Sequence, residues 1–147
     1  MDQAVGEQEQ RWSRLMRAAQ DGDRPDYRRL LVEVAPFIRA LARRRLRDED
    51  AVEDVVQDVL LSLHRVRHSY DPRRPFTPWL AAIASRRTID ALRRRGRIAA
   101  REASDPRAYE TFADPAANKE AEAGASAARS SISRSVDRII APAPTAP

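Results

Sequence analysis

The sequence contains no cysteine, which excludes disulfides, thiolate zinc sites and cysteine nucleophiles together. It has only 4 glycines in 147 residues, and before residue 70 its prolines are Pro25 and Pro36 alone. So small a supply of turn formers suits long helices better than hairpins. Aromatics make up 5% of a chain that is 42% hydrophobic, so the core has to come mainly from Leu, Val, Ile and Ala. No apolar run approaches the length needed to span a bilayer, and the polar, mildly acidic start MDQAVGEQEQ lacks the pattern of a signal peptide. The expectation is a soluble cytoplasmic protein without membrane contact.

Arginine is what the chain has in excess. It supplies 26 of the 27 basic residues, in a formal net charge of +5. A GC-rich genome accounts for part of that bias, so the arrangement of charge carries more meaning than the count. Asp48 to Asp58 holds six acids and no base; Arg86 to Arg101 holds seven arginines against Asp90; Glu102 to Glu122 holds six acids against Arg107 and Lys119. Segregation of this kind implies separate partners for separate elements.

Hydrophobic spacing predicts four helices and no internal repeat. The first runs from about Gln8 to Gln20 with Trp12, Leu15, Met16 and Ala19 on one face, and ends at Asp21-Gly22-Asp23. Asp23 caps a second, which continues to about Leu46 with Leu30, Leu31, Val34, Ile38, Leu41 and Ala42 inward. Pro36 should bend or split it. Asp50 and Glu53 resemble a capping box for the third. Its buried stripe is Val52, Val55, Val56, Val59, Leu60, Leu63 and Val66. A second, solvent-facing stripe carries Asp54, Gln57, Asp58, Leu61 and Arg65. Thr77 as N-cap and Pro78 at the first helical position open the fourth, which ends near Gly96. Its apolar residues spread over more than one face, as in a helix wedged between neighbours.

The expected architecture is all-α: a compact four-helix domain over residues 8–97, an acidic linker over 98–123 and an Ala/Ser/Pro-rich tail over 124–147. Linker and tail are too poor in large aliphatics to offset the entropy of ordering, and read as disordered. At most, Ile132, Val136, Ile139 and Ile140 form a short marginal helix.

Three motifs stand in order: Glu53-Asp54-x-x-Gln57, then Phe76-x-x-Trp79-Leu80-x-x-Ile83-Ala84, then Ile89-Asp90-x-Leu92-Arg93. Over roughly residues 10–97 the chain resembles the N-terminal domain, region 2, of extracytoplasmic-function sigma factors. The resemblance implies core RNA polymerase and promoter DNA as partners, with an anti-sigma factor as a further partner class. In that family the third helix docks on the β′ coiled coil. Here Glu53, Asp54, Gln57 and Asp58 would supply acceptors for a basic partner and Leu61 an apolar contact, although an exposed acidic stripe is commonly just a solvated face. The loop after that helix and the fourth helix resemble the part that reads and opens the −10 element. Arg67, Arg73 and Arg74 would hold phosphates, and Tyr70, Phe76 and Trp79, with Thr77 beside them, would receive an unstacked base. The alternative is that these rings pack the loop onto the bundle. Arg86, Arg87, Arg93 and Arg94, with Arg95 and Arg97, would form a phosphate-binding rail. Where the family pattern has Asn after Ile-Ala-x, this chain has Arg86, so an Asn contact does not carry over whereas general DNA affinity does.

No catalytic set is legible. His64 and His68 have metal-compatible spacing but lack the glutamate of a zinc-protease motif, and read as surface histidines. Asp54 and Asp58 lack a nucleophile or a phosphate-cradling glycine loop. No cofactor is expected, and the reading is a non-enzymatic one. The second helical domain that such sigma factors carry for the −35 element is not legible in Ala123–Pro147, which suggests truncation or a changed reading frame. Three functions therefore stay open: a sigma factor that recognises and melts the −10 element, a decoy that occupies the polymerase site without initiating, and a small helical DNA-binding regulator.

Overall fold

The computed structural model describes residues 2–103 and 133–141. Four long helices, α1 (Asp2–Gln20), α2 (Arg24–Arg43), α3 (Glu49–Val66) and α4 (Phe76–Ala103), form a bundle, and a short helix over residues 133–140 lies against it. No strand occurs among the described residues. α2 packs between α1 and α3, and α4 touches all three other long helices. This explains why its apolar residues do not keep to one face.

The core is the one the periodicity predicts. Trp12, Leu15 and Met16 of α1 meet Leu30, Leu31, Val34 and Ile38 of α2. Val52, Val55, Val56, Val59, Leu60 and Leu63 close it from α3, and Phe76, Leu80 and Ala84 from α4. Val66, expected inward, is exposed at the end of α3, and Leu41 is half-buried against the core.

Several helix ends differ from expectation. α1 begins six residues before the predicted start, with a first turn and a half that touches solvent. α2 runs unbroken through Pro36. A proline there removes one N–H and leaves the Val32 carbonyl without its partner. Val32 and Pro36 both face outward, so water can serve that carbonyl. α2 stops at Arg43 instead of Leu46, and Leu46 turns back to plug the core. The cap of α3 is Asp48, not Asp50: its side chain accepts from the Asp50 N–H at 2.9 Å. The Arg43 guanidinium grips Glu49 with two bonds of 3.1 and 2.9 Å, tying the end of α2 to the start of α3. Asp23 does cap α2 as predicted, accepting from the Asp26 N–H at 3.1 Å. Between α1 and α2 the chain turns at Gly22, whose φ of 94° lies where a side chain would be strained.

Gly96 does not end α4; the helix continues for another seven residues to Ala103. These residues run past the buried part of the bundle and are exposed, Ile98 to 46%. A Cβ at Gly96 would meet nothing within 4 Å. Gly96→Ala should therefore stabilise this extension by about 0.5–1 kcal/mol, the usual cost of a helical glycine. The readout is helicity by far-UV circular dichroism; an unchanged or lower signal would count against a continuous α4.

The tail, expected to be disordered with at most a marginal helix, contains that helix over residues 133–140, and Val136 on it is buried in the core. The rest of the linker and tail, 104–132 and 142–147, lies outside the described residues.

His64 is an interhelical residue, not a surface one. Its Nδ1 lies 2.8 Å from the Tyr27 hydroxyl, and the two rings stack with centroids 5.7 Å apart. Burial, and then the charges of Arg67 and His68, hold its pKa below the ordinary histidine value. Burial likewise pushes the Tyr27 phenol up. An unfolded chain then binds a proton at His64 in a pH range where the folded chain does not. That contribution to stability is complete above the unfolded histidine pKa of about 6.5 and is lost as pH falls through the depressed folded value. Chemical unfolding between pH 7.5 and 5 should show stability falling with pH, and His64→Gln should flatten the slope. An equal slope in the variant would assign it to other groups.

Candidate functional site

Two surfaces matter: the outer face of α3, and the loop between α3 and α4 together with α4 itself. On α3, Asp54, Asp58 and Arg65 are exposed, and Leu61 is 43% exposed despite being a large aliphatic. Gln57 is half-buried and already engaged. Glu53 differs more from expectation. Its carboxylate is gripped by Arg39 of α2 at 2.6 and 3.3 Å, in a largely covered pair. The stripe that stays open is therefore Asp54, Asp58 and Leu61, with Glu53 held at its edge.

The loop begins as a single 3-10 turn, Arg67–Ser69, and ends at Phe76. Five of the eight aromatics of the chain gather around it. Phe76 is fully buried and meets Trp12 at 6.2 Å, Tyr70 at 5.5 Å and Trp79 at 5.7 Å between ring centroids. Trp12 in turn meets Phe37 edge-on at 5.5 Å. Tyr70 is 3% exposed, and its hydroxyl donates to the Arg74 carbonyl. Phe76 and Tyr70 thus pack the loop onto the bundle, while Trp79 keeps a half-exposed ring. An open pocket of about 590 Å³ lies here, lined by Tyr70, Asp71, Arg74, Pro75, Pro78 and Trp79, with Ser69 beside them. Its size is in the range that takes a small organic group.

What fixes the loop comes from α1, and nothing in the sequence pattern marked it. The Glu9 carboxylate accepts from the backbone N–H groups of Phe76 and Thr77, the latter at 2.9 Å. It takes the place of the Thr77 cap expected for α4: Thr77 lies inside the helix and bonds Glu9 as well. Burial would raise the pKa of Glu9, but bonds from the Thr77 side chain, the Thr77 and Phe76 backbone and Ser13 outweigh it and hold the acid below its ordinary value. At the other end of the loop the Gln20 amide donates to the carbonyls of Arg67 and Tyr70 at 2.9 and 2.8 Å.

The arginines of the site are not equivalent. Arg67 is half-buried and spends its guanidinium on the His64 carbonyl at 2.6 Å. Arg73 is exposed but paired with Asp71 at 3.1 Å. Arg74, Arg86, Arg93, Arg94 and Arg97 are exposed, and Arg87 stands half-exposed, 4.0 Å from Asp90. Helical geometry puts Arg86, Arg93 and Arg97 on one line of α4 and Arg87, Arg94 and Arg101 on the next. Arg95 turns the other way and pairs with Asp48, joining the start of α3 to α4. No cluster fit to hold a metal ion occurs among the described residues, and none of their helices is long and apolar enough to cross a membrane.

A sigma-70 region 2 family model matches residues 30–98. Over 88 residues the chain is 39% identical to the ECF RNA polymerase sigma factor SigF of Caulobacter vibrioides, covering 59% of this chain and 49% of that protein. Over 78 residues it is 35% identical to the RNA polymerase sigma factor CarQ of Myxococcus xanthus, covering 53% and 45%. It thus spans about half the length of the curated relatives it matches. Among solved structures it is similar to an engineered region 2 of sigmaE in complex with GTAAAA, at a TM-score of 0.54 and 30% identity, over 58% of this chain and 90% of that one. The family match begins within α2, so Glu9 and Gln20 lie outside it. Through residues 30–98 the chain belongs to the sigma-70 region 2 family, in its extracytoplasmic-function branch.

Proposed function

We propose that this domain binds core RNA polymerase through the open face of α3 and the promoter −10 element through the loop and α4, and so acts in transcription initiation as a sigma factor. The observation that carries the proposal is the juxtaposition of the two faces on consecutive elements. Asp54, Asp58 and Leu61 offer an acidic, partly apolar stripe to a basic partner such as the β′ coiled coil. Immediately after it come a pocket floored by Trp79 and Tyr70 and two lines of arginines. Such a combination suits a single strand: the arginines track phosphates and the pocket takes one unstacked base. Extruding that base costs a few kcal/mol, which pocket contacts offset. Phe76 and Thr77 belong to the scaffold of this site, and Arg67 to its frame. The direct contacts are assigned to Trp79, Arg74, Arg86, Arg87, Arg93 and Arg94. The complex of the similar engineered sigmaE domain with GTAAAA supports the assignment.

Pull-down of core polymerase tests the first half. Asp54→Arg/Asp58→Arg places two like charges against a basic partner and should lower affinity about 100-fold or more. Equal binding by the double variant would remove α3 from the interface. In vitro transcription from a −10-dependent promoter tests the second half; polymerase binding without initiation would make the chain an occupant of the site instead of an initiator.

A further inference from the structure

The short helix over residues 133–140 has an apolar face, Val136, Ile139 and Ile140, at helical spacing. Two turns are too few to be stable in isolation, so this helix exists because it is docked. Val136 is fully buried in the main hydrophobic cluster, with Ile139 and Ile140 half-buried against it. Its polar contacts converge on one residue of α2. Arg28 donates to the Ser133 hydroxyl at 3.0 Å and pairs with the Asp137 carboxylate. Ser133 and Asp137 are one turn apart, so the guanidinium reads a single line of the helix.

Beside Ser133 an apolar groove of about 620 Å³ runs along the outer face of α2 past Pro25, Val32, Ala35 and Pro36 to Arg39. Arg39 is also the residue that grips Glu53 of α3. Groove and α3 stripe therefore share an edge. A protein interface of ordinary size covers about 800 Å² per partner, a patch roughly 16 Å in radius. Neighbouring helices lie only about 8–10 Å apart. A partner centred on Asp54–Leu61 consequently reaches over the outer face of α2, where the short helix sits.

We propose that the helix over residues 133–140 is a cover held in cis on the α2 side of the polymerase-binding face, so that docking it weakens core polymerase binding. The inference rests on the polymerase-binding role assigned to α3. The hold is of the releasable kind: one short apolar face and a solvent-exposed ion pair whose side chains are 39% and 58% exposed. Cover and partner compete within one chain, so the competition does not depend on protein concentration. A cover docked nine-tenths of the time reduces apparent affinity about tenfold.

The test compares the affinity of core polymerase for the full chain and three variants. Val136→Glu removes the buried anchor. Asp137→Arg sets two positive charges together at an exposed position and leaves the core untouched. Arg28→Asp/Asp137→Arg restores the ion pair with its polarity reversed. Val136→Glu should bind about tenfold more tightly than the full chain and Asp137→Arg severalfold more tightly, and the exchanged pair should return to the affinity of the full chain. Equal affinities across the series would overturn the cover and leave the α3 interface standing. Weaker binding by the single variants would also overturn it, since the short helix would then add to the polymerase contact. If no form binds, the full chain included, the α3 assignment falls and the cover falls with it.

Discussion

Phe76→Ala is expected to destabilise the fold by about 3–5 kcal/mol, the range for deleting a buried aromatic ring. The ring is fully buried where α1, the loop and α4 meet, in contact with Trp12, Tyr70 and Trp79. Each aromatic pair contributes about 0.5–1.5 kcal/mol beyond area burial. The rings around the gap are themselves pinned, Tyr70 by its bond to the Arg74 carbonyl and Trp12 by Phe37, so the cavity cannot readily collapse. Phe76→Leu keeps most of the volume and should cost less than about 1.5 kcal/mol. Urea unfolding of the three forms checks this. A loss below about 1 kcal/mol in the alanine variant, with DNA affinity selectively gone, would return Phe76 to the stacking role that its motif alone suggests.

Glu9→Ala should cost about 2 kcal/mol and act at a distance on DNA. The Glu9 carboxylate closes two of the unsatisfied N–H groups at the start of α4, a charge-assisted cap supplied by another helix. It also sits at the positive end of the α4 dipole. Removing a cap typically costs about 1 kcal/mol, and a charged acceptor of two bonds roughly doubles that. Glu9→Gln keeps an acceptor without the charge and should fall between. Since α4 begins at the pocket, the alanine variant should also bind −10 single strand more weakly while binding core polymerase as before. Thermal unfolding and strand titration read the two effects. A variant as stable as the parent would mean that the Glu9 contact contributes nothing.

Most of the fold was legible because its helices are amphipathic and few residues interrupt them. The stripes of α1, α2 and α3 predicted the core nearly residue by residue. Helix ends were less legible where they are set between helices. Asp48 is the cap of α3 partly because Arg95, about five helical turns into α4, bonds its carboxylate; that bond, against burial, holds the Asp48 pKa down together with the Asp50 N–H. No local pattern encodes such a partner. Pro36 and Gly96 were read as interruptions because each opposes helix locally, yet both lie on outward faces, where neither a missing N–H nor a missing side chain disturbs the packing. The site divided in the same way. The exposed acids of α3 and the arginines of α4 are visible as spacing. Whether an aromatic in the loop is buried or open is set by packing between helices, which spacing does not encode, as the burial of Phe76 and Tyr70 illustrates. Glu9 and Gln20 carry no motif at all, since a glutamate on an exposed turn looks like any solvated residue until the loop it holds is in place.

The unbroken course of α4 through Gly96 has a metrical consequence. From Phe76 to Arg101 the helix advances about 37 Å at 1.5 Å per residue. One turn of B-form DNA advances about 34–36 Å. The two ends of α4 are therefore spaced as successive faces of one double helix are. On the proposed DNA-binding role, a pocket end placed on an opened strand would bring the arginine end to the backbone of the next turn of intact duplex, on the same side. α4 would then be a ruler whose rigidity sets the distance between melted and paired DNA, and a break at Gly96 would uncouple the two.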